Sequence, residues 1–193
     1  QEIGQLELLA DLLARQNGGL VNYSRLATKV RVSVDTIRRW MQALGRLYYV
    51  FTIPPWKRNV SRSLLKQPKA FLWDWSQVQD PGRRVENLVA SHLLKAVHWW
   101  TDNGYGDYGL YYVRDKEKRE VDFLVAKDDR PWLLVEAKAG KGSLSPALAY
   151  FQEQTGADHA FQVAMGLDFV DKDCFQHTAP IVVPMTTFLS QLV

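Results

Sequence analysis

Leu6, Leu8, Leu9, Leu12 and Leu13 recur with helical spacing and predict an amphipathic helix that Asn17-Gly18-Gly19 closes. A short second helix is expected over 24–30. Ser33 is placed to cap a third over 34–44, with Asp35 in its first turn and Gly45 at its end. On that third helix the Trp40, Leu44 and Leu47 side should be core. The pattern then changes: LYYVFTI (47–53) and KAFLWDW (69–75) are rich in aromatic and β-branched residues and read as two strands. Three helices followed by a two-stranded hairpin is the outline of a winged helix-turn-helix.

Asp80-Pro81-Gly82 punctuates the chain and divides it into expected domains 1–80 and 81–193. Beyond it, RVENLVASHLLKAVHWW carries an apolar stripe through Val85, Leu88, Val89, Leu93, Ala96, Val97 and Trp100, which predicts a long helix. GLYYVR, EVDFLVAK and PWLLVEAK read as strands, 143–155 as a helix, ADHAFQVAM and PIVVPM as further strands, and 186–192 as a terminal helix. Helix, three strands, helix, strand is an α/β layer domain.

Bulk properties narrow the partners. No apolar run reaches transmembrane length, so no membrane association is expected. Cys174 is the single cysteine and no signal peptide opens the sequence, which suits a cytoplasmic setting. The chain begins with Gln1 rather than Met and is expected to be a piece of a longer protein. Residues 1–80 hold 12 Lys/Arg against 6 Asp/Glu, whereas 81–193 hold 12 against 15. A basic first part points to DNA there; ordinary surface variation has the same appearance. Arg38, Arg39, Gln42 and Thr36 on the third helix, with Lys57, Arg58 and Arg62 in the basic hairpin loop, are the candidate nucleic-acid contacts. A protein-docking use of the same helices is the alternative.

The chemistry concentrates on two strands. Asp122 lies in EVDFLVAK and Glu136 and Lys138 in PWLLVEAK. Alternation puts Glu136 with Lys138 on one face, and Asp122 with Glu120 and Leu124 on one face. Glu86, early in the long helix, adds a third carboxylate. Asp122, Glu136, Glu86 and Glu120 are candidate ligands of Mg²⁺ or Mn²⁺, with Lys138 placed to orient a nucleophile or neutralise charge on a phosphodiester. Solvated acids on an edge strand, and a first-turn Glu86 that merely suits the helix dipole, are the plainer accounts.

Glu86, Asp122 and Glu136-Ala137-Lys138 resemble the PD-(D/E)XK nuclease-like signature, whose restriction-endonuclease-like α-β-β-β-α-β core has the predicted order; Val121-Asp122 stands where stricter members have Pro-Asp. More broadly, YSRLATKVRVSVDTIRRWMQALGRLYYVFTIPPW, GRRVENLVASHLL and YYVRDKEKREVDFLVAKDDRPWLLVEAK resemble the C-terminal region of a family of prokaryotic predicted AAA+ ATPases, over roughly 10–165. The resemblance implies a winged helix preceding a nuclease-like domain, and an ATPase domain upstream. No G-x-x-x-x-G-K-[ST] occurs here, so no ATP hydrolysis is expected of these residues. Two functions follow from it: a DNA-associated module with a metal-dependent nuclease site, or a catalytically silent module that binds a partner protein and regulates the ATPase.

Overall fold

The computed structural model describes residues 2–56 and 67–193. Helices α1 (Glu2–Arg15), α2 (Tyr23–Val30) and α3 (Val34–Arg46) pack around Leu9, Leu13, Leu26, Val30, Ile37, Met41 and Leu44. Side-chain caps set the starts of α2 and α3. Asn22 Oδ1 accepts from Arg25 N–H at 2.9 Å, and Ser33 Oγ accepts from Thr36 N–H at 3.0 Å. Helix α3 runs through Gly45 instead of stopping there. Leu47, expected in the core, is 75% exposed. Tyr48 takes a left-handed φ of 55°, so the extended run begins only at Val50.

Strands β1 (Val50–Ile53) and β2 (Lys69–Leu72) form an antiparallel hairpin. β2 is shorter than the 69–75 expected, because Asp74 caps a single 3-10 turn at Trp75–Gln77.

Asp80 Oδ1 accepts from Arg83 N–H at 2.8 Å and starts α4 (Pro81–Asp102), with Pro81 in its first turn. The rest is β3 (Tyr108–Arg114), β4 (Glu120–Lys127), β5 (Arg130–Lys138), α5 (Pro146–Thr155), β6 (His159–Ala164), β7 (Ile181–Pro184) and α6 (Met185–Leu189). The five strands form one mixed sheet in the order β3-β4-β5-β6-β7. Its first two pairings are antiparallel and its last two parallel. α5 begins later than expected, because Gln162 holds residues 142–145 as a loop. No described helix is long and apolar enough to cross a membrane.

Both faces of the sheet are covered, which explains the nearly unbroken apolar character of β4 and β5. On one side Val89, Leu93 and Val97 of α4 meet Phe123, Val125 and Val135. On the other, Leu148 and Phe151 of α5 meet Leu124 and Leu134. The hairpin joins the α4 side through Phe51, Ile53 and Phe71. Just past β1 the chain extends along β3: Trp56 N–H donates to Tyr112 O at 2.7 Å, and Tyr112 N–H donates to Pro54 O at 3.1 Å. That contact covers part of an otherwise open sheet edge.

Candidate functional site

Lys69, the first residue of β2, is only 3% exposed, and its ammonium lies among three carboxylates. Its Nζ is 2.7 Å from Glu120 Oε1, 3.1 Å from Glu86 Oε1 and 3.5 Å from Asp122 Oδ1. Two asparagines place it. Asn87, fully buried on α4, accepts from Leu72 N–H at 3.0 Å and donates to Leu72 O at 2.7 Å. Asn17 accepts from the same N–H at 3.1 Å. The hairpin edge is thus clasped to the helix that carries Glu86.

An irregularity in β4 aims Asp122. Tyr111 pairs with Leu124 but Val113 with Val121, so Asp122 and Phe123 together oppose Tyr112. Such a bulge breaks strict alternation. Leu124 packs on the α5 side, while Asp122 reaches the α4 and hairpin side; the expectation that they share a face is corrected by the extra residue. The β4–β5 ladder stops at Phe123↔Val135. Beyond it the Asp122 carboxylate takes the place of a strand carbonyl and accepts from Ala137 N–H at 3.0 Å.

Glu136 and Lys138 share a face as expected and bond to each other, Nζ to Oε1, at 2.8 Å. Alternation sets them with Leu134, on the α5 side, beside the fully buried Gln162 that pairs with Glu136 in register. Glu136 is 8% exposed, and its Oε2 is buried without a hydrogen-bond partner. The site therefore has two parts. Glu86, Glu120 and Asp122 surround Lys69, and Glu136 pairs with Lys138 next to them.

Charge balance is tight. Four carboxylates meet three cations, Lys69, Lys138 and Arg114, the last 3.1 Å from Glu120. Burial pushes the Glu86 carboxyl up to about 7, Asp122 adds to the rise, and Lys69 opposes it. Burial also raises Glu136, again with help from Asp122. For Lys69, burial alone would favour the neutral amine, but Glu86, Asp122 and Glu120 together hold it firmly protonated.

The oxygen-rich donor set is of the kind Mg²⁺ takes, but its arrangement does not fit the ion. Each carboxylate of the α4-side group already faces one buried ammonium, and Glu136 belongs to a separate ion pair. Among the described residues, no group of three His, Cys, Asp or Glu side chains is arranged to hold a metal ion.

The helical part keeps its candidates at the surface. Arg38 lies 3.5 Å from Asp35 and 5.9 Å from the Tyr23 ring centre. Arg39 donates to Thr36 Oγ1 at 3.5 Å, and Thr36 is itself engaged with Ser33. Arg38 and Gln42 line a hollow between α3 and the hairpin, with Thr52 and Gln67 opposite. Lys57, Arg58 and Arg62 lie outside the described residues. Gln152 of α5 donates to the carbonyls of Ala157, Asp158 and Thr178, beyond the C-terminal end of its helix.

Lys69, Arg114, Asn87 and Gln162 are the site residues that sequence reasoning missed, and Asn17 was read only as part of a helix stop. A lysine opening an otherwise apolar strand, KAFL, and an asparagine on the apolar stripe VENLV were the available signals.

Residues 81–188 match the family described as Domain of unknown function (DUF4143), and residues 1–79 match the one described as Domain of unknown function (DUF8612). The chain is similar to the uncharacterized proteins Rv2008c of Mycobacterium tuberculosis and Mb2031c of Mycobacterium bovis, at 25% identity over 130 residues in each case. The match covers 63% of this chain and 29% of either relative. No solved structure matches the chain.

Proposed function

The chain belongs to the DUF4143 family, and on that premise we propose that it is an interaction and regulatory module of a larger AAA+-type ATPase. In this reading a DNA-contacting winged helix is fused to a PD-(D/E)XK-like domain whose acidic site is closed and silent. The element order α4-β3-β4-β5-α5-β6 and the three helices with a hairpin support the two fold assignments. The small share of the relatives' length that the chain covers suits a module of a larger protein.

One observation carries the silent reading: Lys69 Nζ among Glu86, Glu120 and Asp122. Metal-assisted hydrolysis needs a Lewis acid that lowers the pKa of a bound water. An ammonium held firmly protonated supplies charge but neither coordinates water nor takes its proton. Contact with DNA is supported by the exposed Arg38, Arg39 and Gln42 on α3, types that read base edges and phosphates. A second reading, a live phosphodiesterase, is favoured by the unpartnered Glu136 Oε2 beside Asp122.

The test is incubation of the protein with plasmid and branched DNA plus Mg²⁺ or Mn²⁺, alongside Asp122→Ala, Lys138→Ala and Lys69→Ala. The silent module leaves all substrates intact. Cleavage by the unaltered protein that Asp122→Ala abolishes overturns it. Gel shifts lost on Arg38→Ala with Arg39→Ala support DNA contact through α3; shifts that persist remove it.

A further inference from the structure

A second feature lies at the other end of α4, about 20 Å along the helix from Glu86 at 1.5 Å per residue. Here a cleft of about 340 Å³ is lined chiefly by aromatic rings. Trp99 and Tyr105 stack at 5.4 Å and remain 42% and 58% exposed. Deeper in, Trp132 stands edge-on to Trp100 at 5.4 Å and stacks on Phe175 at 5.5 Å. Large aromatic faces left open to water beside a well-packed core suggest a contact surface.

Charge around the cleft selects the occupant. α4 has no basic residue in its last turn and ends in Asp102, three positions after Trp99, so an acid sits at the negative end of the helix dipole. Asp107 and Asp128 lie nearby, joined by a bond from Asp107 N–H to Asp128 Oδ1 at 2.9 Å. An adjoining hollow shares Phe175 and Gln191 with the cleft and adds Asp171 and Asp173. Against these five aspartates stand Lys127 and Lys172, with Arg130 opposite Lys127 across the β4–β5 turn. Lys127 shows what the rings accept: its ammonium lies 5.4 Å from the Tyr108 ring centre.

We propose that this cleft docks an arginine-bearing peptide segment of a partner protein. Guanidinium is planar and weakly hydrated, and it stacks on indole and phenol faces while its N–H groups reach carboxylates. The acidic surroundings attract such a segment and repel a phosphodiester backbone.

The test titrates the chain with a fluorescein-labelled peptide of alternating glycine and arginine and reads anisotropy. A glycine-glutamate peptide and a labelled oligothymidylate serve as comparisons. Trp99→Ala, Tyr105→Ala and Asp102→Asn alter exposed side chains, and circular dichroism checks that each variant folds. The expected result is saturable arginine-peptide binding, weakened roughly three- to tenfold (~0.6–1.4 kcal/mol) by each variant, with no binding of the acidic peptide. No arginine-peptide binding, or binding unchanged in all three variants, overturns the proposal. So does oligothymidylate binding that Trp99→Ala removes, which would make the cleft a base-stacking platform. The nuclease and gel-shift outcomes above do not bear on this result.

Discussion

Lys69 Nζ and Glu120 Oε1 meet at 2.7 Å, joining the first residue of the hairpin's second strand to the first residue of β4. The lysine end is buried, at 3% exposed, while the Glu120 side chain keeps 24% of its surface open. Truncating one member of a buried ion group removes its attraction and strands its partners' charge. Lys69→Met keeps the apolar stem but leaves Glu86, Glu120 and Asp122 with no buried cation. It should lower unfolding free energy by about 3–5 kcal/mol at pH 8, read from urea melts. The loss should shrink at pH 5, where the raised Glu86 carboxyl takes up a proton.

The raised Glu86 carboxyl gives the stability a pH dependence of defined sign. Between its unfolded value near 4.5 and its folded value of about 7, the folded state binds more protons than the unfolded state. Stability therefore falls as pH rises through that window. Glu136 is raised for the same cause and acts in the same direction. Glu86→Gln keeps the shape and removes the titration. Unfolding free energies from urea melts at pH 5 and pH 8 should differ less in Glu86→Gln than in the unaltered protein, by roughly 1–3 kcal/mol. An unchanged difference would place the proton elsewhere in the cluster.

Much of the fold was legible because it rests on local chemistry. Ser33 and Pro81 mark helix starts through their own side chains, and the apolar runs of β4 and β5 announce buried strands. The acidic residues were legible for a related reason: Asp122 and Glu136 are out of place in such runs. Their arrangement was not. The bulge that turns Asp122 toward α4 depends on how β3 pairs with β4, which no spacing within β4 reveals. Lys69 comes from a hairpin placed by Asn17 and Asn87, so its role is set by long-range contacts. Leu47 misled because the apolar spacing runs one residue past the end of α3 at Arg46, where Leu47 caps the helix and Tyr48 turns the backbone.

Asn87 should act as the hairpin's clasp. Its amide answers both the N–H and the C=O of Leu72, at 3.0 and 2.7 Å, from a fully buried position. Asn87→Leu fills similar space but leaves the Leu72 carbonyl without this donor, while Asn17 still accepts from the N–H. A loss of about 1–3 kcal/mol is expected. Hydrogen exchange at the Leu72 and Phe71 amides should accelerate more than exchange in β5, because the hairpin edge is what loosens.

Gly18 is held against the acidic site from behind. Its N–H donates to Ala70 O at 2.8 Å, tying the turn after α1 to β2, and its φ is +73°. A Cβ added there would fall 2.8 Å from Glu86 Oε2. Gly18→Ala thus combines two penalties, left-handed backbone strain of about 1–2 kcal/mol and displacement of the Glu86 carboxylate from Lys69. A double-mutant cycle separates them. In the Glu86→Ala background the collision is gone, so Gly18→Ala should there lose only the backbone share, whereas beside an intact Glu86 it should lose measurably more. Equal losses in both backgrounds, by urea unfolding at pH 8, would show that Glu86 moves aside freely and that its place beside Lys69 is not fixed by the turn.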